Sequence, residues 1–577
     1  MSTVNRNRQE TRWFILDGGV DTGSSPDIIL ENQVAQSINV TFRGGKPTCR
    51  PPFFRRRLDF ASDQTKYDFE DGFFQGAGVF TSPSGQVFLV ASISGKLFRT
   101  QINLGFQTGQ LTIPGLQNNP NLQKAWFCQA EDTLIVQDNE SKPVFWNGAT
   151  VRRATDVEVP VGGPTTYGQG RVWVAQGRAY TGGDIVNGDP IYGRENVLRF
   201  TENEYLNEGG SFSVPRTDTD IQGLNFVAAQ DEAQGTSGLL VGTRGGVYQF
   251  DAPTDRETWK NLQQPLQRFA LLEYGPQSHE SMALVNGDLF FRAADGIRSF
   301  KYARREFTGW GNTPISDEVS NPIKLDSGVL LNHASAVNFD NRLIMTAIPQ
   351  MSHHGIWHMG LAVLDFKLIS KMNRQSPPVW DGTWTGIRTL QLLTAEVYGV
   401  KRCFAYALDA DLRICLYEIM STESGENFDD GETRIQWTIV TREMAPDREL
   451  LWQLETADLW PTGIVGTYTA DCSYRADQEP CWQYWHDWTE CVTNCYPGDS
   501  IPCEGWPQYQ PMSLPRRSFP VPLNNANLQT KKPFRHGYGF QVRMEFSGKF
   551  TLSKGRMVTS AVIENPVGNV IPSPSCP

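Results

Sequence analysis

Between residues 70 and 420, short runs of β-branched and aromatic residues recur, each broken by a tight turn rich in Gly, Asp or Asn. Ala77-Gly78-Val79-Phe80 turns at Pro83-Ser84-Gly85 into Val87-Phe88-Leu89-Val90 and continues through Ser94-Gly95 to Leu97-Phe98. The unit returns at Thr133-Leu134-Ile135-Val136 and at Arg171-Val172-Trp173-Val174-Ala175. It returns again at Leu239-Leu240-Val241-Gly242 into Val247-Tyr248-Gln249-Phe250, and at Met282-Ala283-Leu284 into Leu289-Phe290-Phe291. Ser335-Ala336-Val337 turns at Asp340-Asn341 into Leu343-Ile344-Met345, with Leu361-Ala362-Val363-Leu364 following. Cys403-Phe404-Ala405-Tyr406 turns near Asp409-Ala410-Asp411 into Ile414-Cys415-Leu416-Tyr417. Such run lengths and turn chemistry predict antiparallel meanders. Their spacing, roughly 40–70 residues, is wider and less regular than WD or kelch repeats. A lone meander leaves an edge and an apolar face open, and radial closure covers both. The predicted fold is therefore all-β, a degenerate β-propeller over residues 61–430, ahead of a pair of β-sandwiches.

The flanks read differently. Residues 1–60 form an extended arm, because Gly18-Gly19, Gly23, Pro26, Gly44-Gly45, Pro47 and Pro51-Pro52 interrupt any long helix. Its basic run, Arg55-Arg56-Arg57, suits a solvated surface or, alternatively, an acidic neighbouring subunit. Residues 431–577 are expected to form a separate β-rich C-terminal unit. There Phe540, Val542, Met544 and Phe546 alternate with Gln541, Arg543 and Glu545, and Phe550 and Leu552 resume after Ser547-Gly548-Lys549. A Cys/Trp-rich insertion, 472–506, is expected to hold little regular structure. Within it Trp482, Trp485 and Trp488 have the spacing of one face of a short helical turn, suited to a local core or to interface anchors.

Composition narrows the function classes. At 577 residues the chain exceeds the ~250–300 at which one core stops growing, so several units or a closed repeat are implied. The 53 Gly and 35 Pro, with 11% aromatics and only 20% charged residues, agree with many turns and β-structure. A net charge of −11 argues against general capture of nucleic acid, which needs a positive surface. No run approaches 18 apolar residues, so no membrane span is expected, and no secretory h-region follows the first residues.

Candidate chemistry is sparse. His353-His354-x-x-x-His358 has the spacing of a helical metal pair, but Gly355, Ile356 and Trp357 replace the glutamate of a metalloprotease helix. A surface or interface loop is the expectation there, with no metal and no cofactor. Thr254-Asp255-Arg256-Glu257-Thr258-Trp259 approaches a sialidase Asp-box but lacks its turn glycine. Asp288, Asp295, Asp340, Asp409 and Asp411 read as turn residues rather than a glycosidase pair. Gly242-Thr243-Arg244-Gly245-Gly246 lacks the Gly-Lys-Ser/Thr ending of a phosphate loop and reads as a hairpin turn. No catalytic residue is nominated, and the chain is not expected to be an enzyme. Cys472, Cys481, Cys491, Cys495 and Cys503 fall within 32 residues, with Cys576 near the end. They are candidates for disulfide stapling of the insertion, with Cys576 the natural partner of an odd fifth cysteine; the alternatives are free buried thiols and, less favoured because only one gap has zinc spacing, a metal.

The arm carries one further pattern: Gly18-Gly19-Val20, Pro26-Asp27-Ile28-Ile29-Leu30, Asn32-Gln33, Ser37-Ile38-Asn39, Arg43-Gly44-Gly45 and Arg50-Pro51-Pro52. This resembles the N-terminus of the tail nozzle proteins of short-tailed phages, also called tail tubular protein B, and more distantly the packaged-DNA stabilisation proteins. The resemblance implies a virion protein of the phage tail, assembled in the host cytoplasm as a ring, a hexamer in that family. Such a ring continues the DNA channel below the portal and adaptor, retains the genome and conducts it on ejection. It implies as partners further copies of the chain, adaptor and portal-proximal proteins, tail fibres or tip proteins, and transiting DNA bound without sequence specificity. On this chain Gly18, Gly19, Pro26, Asp27, Asn39, Arg50 and Pro51 match structural positions. The alternatives are a receptor- or glycan-binding tail propeller, motivated by the tryptophans, and a glycan-cleaving tail enzyme.

Overall fold

The computed structural model describes residues 9–155, 158–168, 170–184, 212–215, 217–227, 238–250, 274–300, 314–324, 326–366, 378–421, 428–429, 433–447, 450–492, 517–520 and 535–562. Its strands order into seven successive antiparallel meanders. Blade 1 is Phe74–Thr81, Val87–Ile93, Lys96–Gln101 and Gln107–Gln110; blade 2 is Trp126–Ala130, Thr133–Gln137, Val144–Trp146 and Val151–Arg153. Blade 3 is Thr165–Gly168, Arg171–Gln176, Ala179–Asp184 and Phe212–Ser213. Blade 4 comprises Ile221–Val227, Gly238–Thr243 and Val247–Phe250, and blade 5 Ala283–Val285, Asp288–Arg292 and Ile297–Ser299. Blade 6 is Ala336–Phe339, Arg342–Ser352, Gly355–Asp365 and Val379–Trp384. Blade 7 takes Arg388–Val397, Val400–Leu408 and Ile414–Ile419 from the body, and its outer strand, Phe53–Arg56, from the arm.

The first strand of each blade touches the first strand, or the segment leading into it, of the next. Gly78 lies so close to Phe127 that a Cβ there would sit 2.4 Å from the Phe127 Cβ, and Gly168 is equally tight against the Phe226 ring. Gly163, just before blade 3, rests on the Trp126 ring. The Leu224 amide donates to His279 Nδ1 (3.3 Å), the Asn338 side-chain amide to the Leu284 carbonyl (2.8 Å), and the Leu392 amide to Ser335 Oγ (3.0 Å). The circle closes between blades 7 and 1. Gln391 Nε2 donates to the Ala77 carbonyl and Gln391 Oε1 accepts from the Ala77 amide, both at 2.8 Å and both buried. A side-chain amide thus supplies the donor and acceptor that a neighbouring strand supplies elsewhere. The all-β propeller expected from the turn pattern is the fold, and the described residues form seven blades.

Packing explains why the runs read as continuously apolar rather than alternating. The middle strands, such as Val87–Ile93, Thr133–Gln137, Arg171–Gln176 and Gly238–Thr243, are buried on both faces, as in interior sheets generally. Leu134 and Val136 face the core shared with blade 1, while Ile135 faces the core shared with blade 3. Val172 and Val174 likewise face blade 2, and Trp173 and Ala175 face blade 4. In blade 7, Cys403 and Ala405 join the blade 6 core while Phe404 and Tyr406 join that of blade 1.

The arm laces this ring to a C-terminal layer. Phe53–Arg56 completes blade 7 and Asp59–Phe60 then pairs in parallel with Gln107–Gln110, the outer strand of blade 1. Arg56 is buried and pairs with Glu418, which Arg402 also engages, while Arg55 pairs with Asp409 at 2.8 Å. The basic run is therefore no solvated patch at Arg56; it belongs to the closing blade. Upstream, Val34–Ile38 pairs antiparallel with Gln436–Thr441 and meets blade 6 at a single parallel bridge, Ile38 to Thr383. Gln436–Thr441 in turn pairs with Phe540–Ala561, which pairs along its length with Trp452–Ala476. The β-rich C-terminal unit is thus one sheet with blade 6, joined through the arm.

Replacing Gln391 with Leu leaves the Ala77 amide and carbonyl buried without partners. At ~1–3 kcal/mol for each of the two orphaned groups, urea unfolding is expected to show a loss of about 2–6 kcal/mol. A loss below ~0.5 kcal/mol would mean that closure rests on the cores alone.

Candidate functional site

The arm residues of the resemblance form a connected set of anchors. The Gly18 amide donates to the Asn32 carbonyl and the Val34 amide to the Gly19 carbonyl, both at 2.9 Å. Gly19 has φ +78°, and a Cβ there would fall 2.3 Å from Val379 Cγ1, so both the backbone and the space require glycine. Pro26 accepts the Glu443 amide (2.8 Å) and the Asp27 carbonyl accepts from Arg442 (3.4 Å), tying the arm to the C-terminal layer. Asn39, at φ 57°, uses its whole side chain: Nδ2 donates to Thr385 Oγ1 (3.0 Å) and the Gln436 carbonyl (2.9 Å), while Oδ1 accepts from Arg50 Nε (2.9 Å) and the Thr385 amide (2.7 Å). Arg50 is 1% exposed, forks onto both oxygens of Asp429 (2.9 and 2.6 Å), and donates to the Pro51 and Thr385 carbonyls. One asparagine and one arginine thereby join the arm, the link between blades 6 and 7, and the C-terminal sheet.

A second node lies beside it. Arg43 donates from Nε to Asp365 (2.7 Å) and also pairs with Asp340, which Arg342 engages at 2.6 Å. Fully buried Asp381 accepts the Phe42 amide (2.9 Å) and lies 3.9 Å from Arg342. Burial pushes its carboxyl up to about 7 against the pull of Arg342, with Asp365 adding repulsion. These arm residues are satisfied within their own chain, by the propeller and the C-terminal layer.

The structure also assembles a polar cluster that the sequence reading missed. It sits where the chain enters the inner strands, at one mouth of the ring. Lys124, leading into blade 2, reaches Glu280 before blade 5 (2.6 Å), Ser278 Oγ (3.1 Å) and the Asn332 carbonyl before blade 6 (2.6 Å). Ser278 also donates to Glu280 (2.7 Å). Burial alone would raise the Glu280 carboxyl, but the Lys124 ammonium and the Ser278 hydroxyl outweigh it and hold it below the usual range. His333 and His358 are driven down to about 3 and about 4, chiefly by burial, with Lys124 adding repulsion at His333. His358 Nδ1 lies 3.2 Å from the Thr389 carbonyl, which only accepts, so this nitrogen carries the ring proton. Blades 2 and 5 stand three apart in a ring of seven, so the Lys124–Glu280 pair crosses the axis. No sequence spacing links positions 124, 280 and 333, because only ring closure brings them together.

The remaining nominated residues fall as follows. His354 and His358 are not on a surface loop. They lie at and beyond the tip of the hairpin Arg342–Ser352/Gly355–Asp365, which folds over blade 7 so that the His354 carbonyl accepts the Phe74 amide of blade 1 (2.8 Å). Among the described residues no group of His, Cys, Asp or Glu is arranged to hold a metal. The first part of the insertion is regular rather than irregular: Gln483–Val492 pairs antiparallel with Gly466–Tyr474. Trp485 and Trp488 therefore sit on a strand, with Trp482 just before it, and not on a helical turn. Trp485 is buried against Tyr474 (5.4 Å), Trp488 donates to the Tyr468 hydroxyl (3.0 Å), and the Trp482 ring lies under Arg475 (4.6 Å). Cys472 is corrected from staple candidate to a free thiol inside the sheet core, its pKa raised by burial, whereas Cys481 is disulfide-bonded. The Cys491 side chain and Cys495, Cys503 and Cys576 lie outside the described residues, as does Thr254–Trp259.

No family model and no curated protein matches the chain. Among solved structures, BamB from Moraxella catarrhalis is similar over 67% of this chain and 97% of its own, at 10% identity and a TM-score of 0.33. At that level the likeness carries no argument, and the propeller assignment rests on strand connectivity and ring closure.

Lys124→Met is expected to cost about 3–5 kcal/mol in urea unfolding by stranding Glu280, and Lys124→Met/Glu280→Gln to recover most of it. Acid acts at the same place. Because His333 and His358 titrate lower when folded, their contribution is intact above ~6.5, the free imidazole value, and is lost as pH falls toward about 4 and about 3. Melting temperatures measured from pH 7 to 4 should fall, and substituting His333 by Phe should flatten that slope.

Proposed function

We propose that this chain is a structural protein of a short-tailed phage tail. Several copies assemble into a ring that continues the DNA channel below the portal and adaptor, retains the packaged genome and conducts it on ejection. The observation that carries this reading is the arm: Gly19, Asn39 and Arg50 of the nozzle-like opening are the residues that fasten propeller, closing link and C-terminal layer together. A pattern resembling one family's opening thus coincides with the joint on which this molecule's framework depends.

The Lys124–Glu280 bridge across the propeller axis bears on where DNA would pass. The conduit of this reading is the space enclosed by several copies, not the axis of one propeller. A chain of net charge −11 suits such a conduit, since acidic walls repel phosphate and let duplex slide rather than bind. Portal-proximal and adaptor proteins above, and fibres or tip proteins below, are its expected partners in the virion, with six copies as the resemblance implies. The glycan-binding alternative has less support, because Trp485 is 2% exposed and Trp482 is covered by Arg475.

Mass measurement and negative-stain imaging of the purified chain, alone and with its adaptor, are expected to show a closed ring with an axial passage. A species that stays monomeric at high concentration in both conditions would overturn the proposal.

A further inference from the structure

The strap formed by residues 17–34 is closed on itself. Besides the Gly18–Asn32 and Val34–Gly19 bonds, the Asp21 amide donates to the Val34 carbonyl (2.9 Å), and Val20 and Val34 form a parallel bridge. It meets the ring through few bonds, concentrated on the turn Ser316–Ser320 that precedes blade 6. The Thr22 amide donates to the Glu318 carbonyl (2.6 Å), Thr22 Oγ1 accepts the Asn321 amide (3.2 Å), and the Val20 amide donates to the Trp380 carbonyl (3.1 Å). Gly23 is pressed so close to this turn that a Cβ would fall 2.1 Å from the Asp317 carbonyl oxygen. On the far side, Pro26 and Asp27 hold the C-terminal layer.

The side chains at this contact are of one sign. The Glu318 carboxylate accepts one hydrogen bond from the strap, from Gln33 Nε2 at 3.3 Å. The charged groups facing it are Asp21 on the strap and Asp317 on its own turn. Among the described residues neither Asp21 nor Glu318 has an ion-pair partner, in contrast to Asp340, Asp365 and Asp429 at the neighbouring nodes, each held by arginine. We propose that the strap is a pH-sensitive clasp: it is fastened to the blade 6 turn while Glu318 is protonated beside Asp21, and it loosens locally when both carboxylates carry charge.

The electrostatics agree with the geometry. Burial first, then Asp21 and Asp317, push the Glu318 carboxyl up to about 7, with the Gln33 amide opposing. A group raised in the folded state binds its proton more tightly there than when the strap is released. Its contribution is therefore full below ~4.5, the ordinary glutamate range, and is lost as pH rises to about 7. The inference needs no ring of copies and stands or falls independently of the proposed function.

Hydrogen exchange on the full chain tests it, after correction for the intrinsic pH dependence of exchange. Opening at the Val20 and Thr22 amides is expected to increase about tenfold between pH 5 and pH 8, the half-buried position discounting the larger factor that the full shift would give. Amides of the blade cores serve as the internal reference and should not follow. Glu318→Gln, which keeps an acceptor for Gln33, should abolish the increase. Asp21→Asn, which keeps the acceptor for the Gly23 and Ser24 amides but removes a charge that raises Glu318, should shrink the increase and move its midpoint to lower pH. Should Glu318→Gln fail to fold, Asp21→Asn alone decides. Opening that does not change with pH, or that keeps the wild-type profile in these variants, overturns the clasp.

Discussion

Closure of the ring between blades 7 and 1 is the constraint on which the rest of the molecule depends. Six of the seven blade junctions join consecutive stretches of chain, but the last must join residues more than 300 positions apart. It is made three times over. Gln391 completes the Ala77 backbone, the long blade 6 hairpin places His354 on Phe74, and the arm crosses from blade 7 to blade 1 on the outside. Bringing such distant segments together costs loop entropy that only cooperative contacts recover. A propeller therefore needs redundancy at its seam more than anywhere else.

The arm has a second consequence. The same segment that closes the ring also pairs with Gln436–Thr441 and thereby with the long C-terminal hairpin. Residues that look like a floppy leader are thus structural mortar, and buried arginines are the means. Arg43, Arg50, Arg56 and Arg342 each neutralise carboxylates that would be costly to bury alone, and their planar forks fix the angle at which the arm lies. Arginine is better suited to these positions than lysine because two donors in one plane satisfy two oxygens at once.

The propeller axis is closed by chemistry rather than by bulk. Lys124 draws Glu280, Ser278 and Asn332 to one point, and His333 lies close enough to feel the charges of Lys124 and Glu280. An ion pair thus spans this mouth of the ring.

By itself the sequence determined that the chain is all-β, that its strands come as meanders, and that the stretch from Phe540 to Leu552 alternates between an apolar and a polar face. Those features follow from period-two patterning and turn residues, which are local. The arm's special positions were singled out only through the resemblance, and the structure supplies their reason: Gly19 adopts φ +78°, and Asn39 and Arg50 are a buried hydrogen-bonded pair. What only the tertiary structure decided is everything that depends on distant residues meeting. The number of blades, the Gln391 seam, the axial Lys124 cluster and the single-signed Asp21–Glu318 contact all belong here. So does the strand, rather than helix, through Trp485, whose conformation was set by pairing with Gly466–Tyr474 and not by its own spacing. Local sequence fixes which way a side chain points along its own strand, whereas the partner it meets there is chosen by how the circle closes.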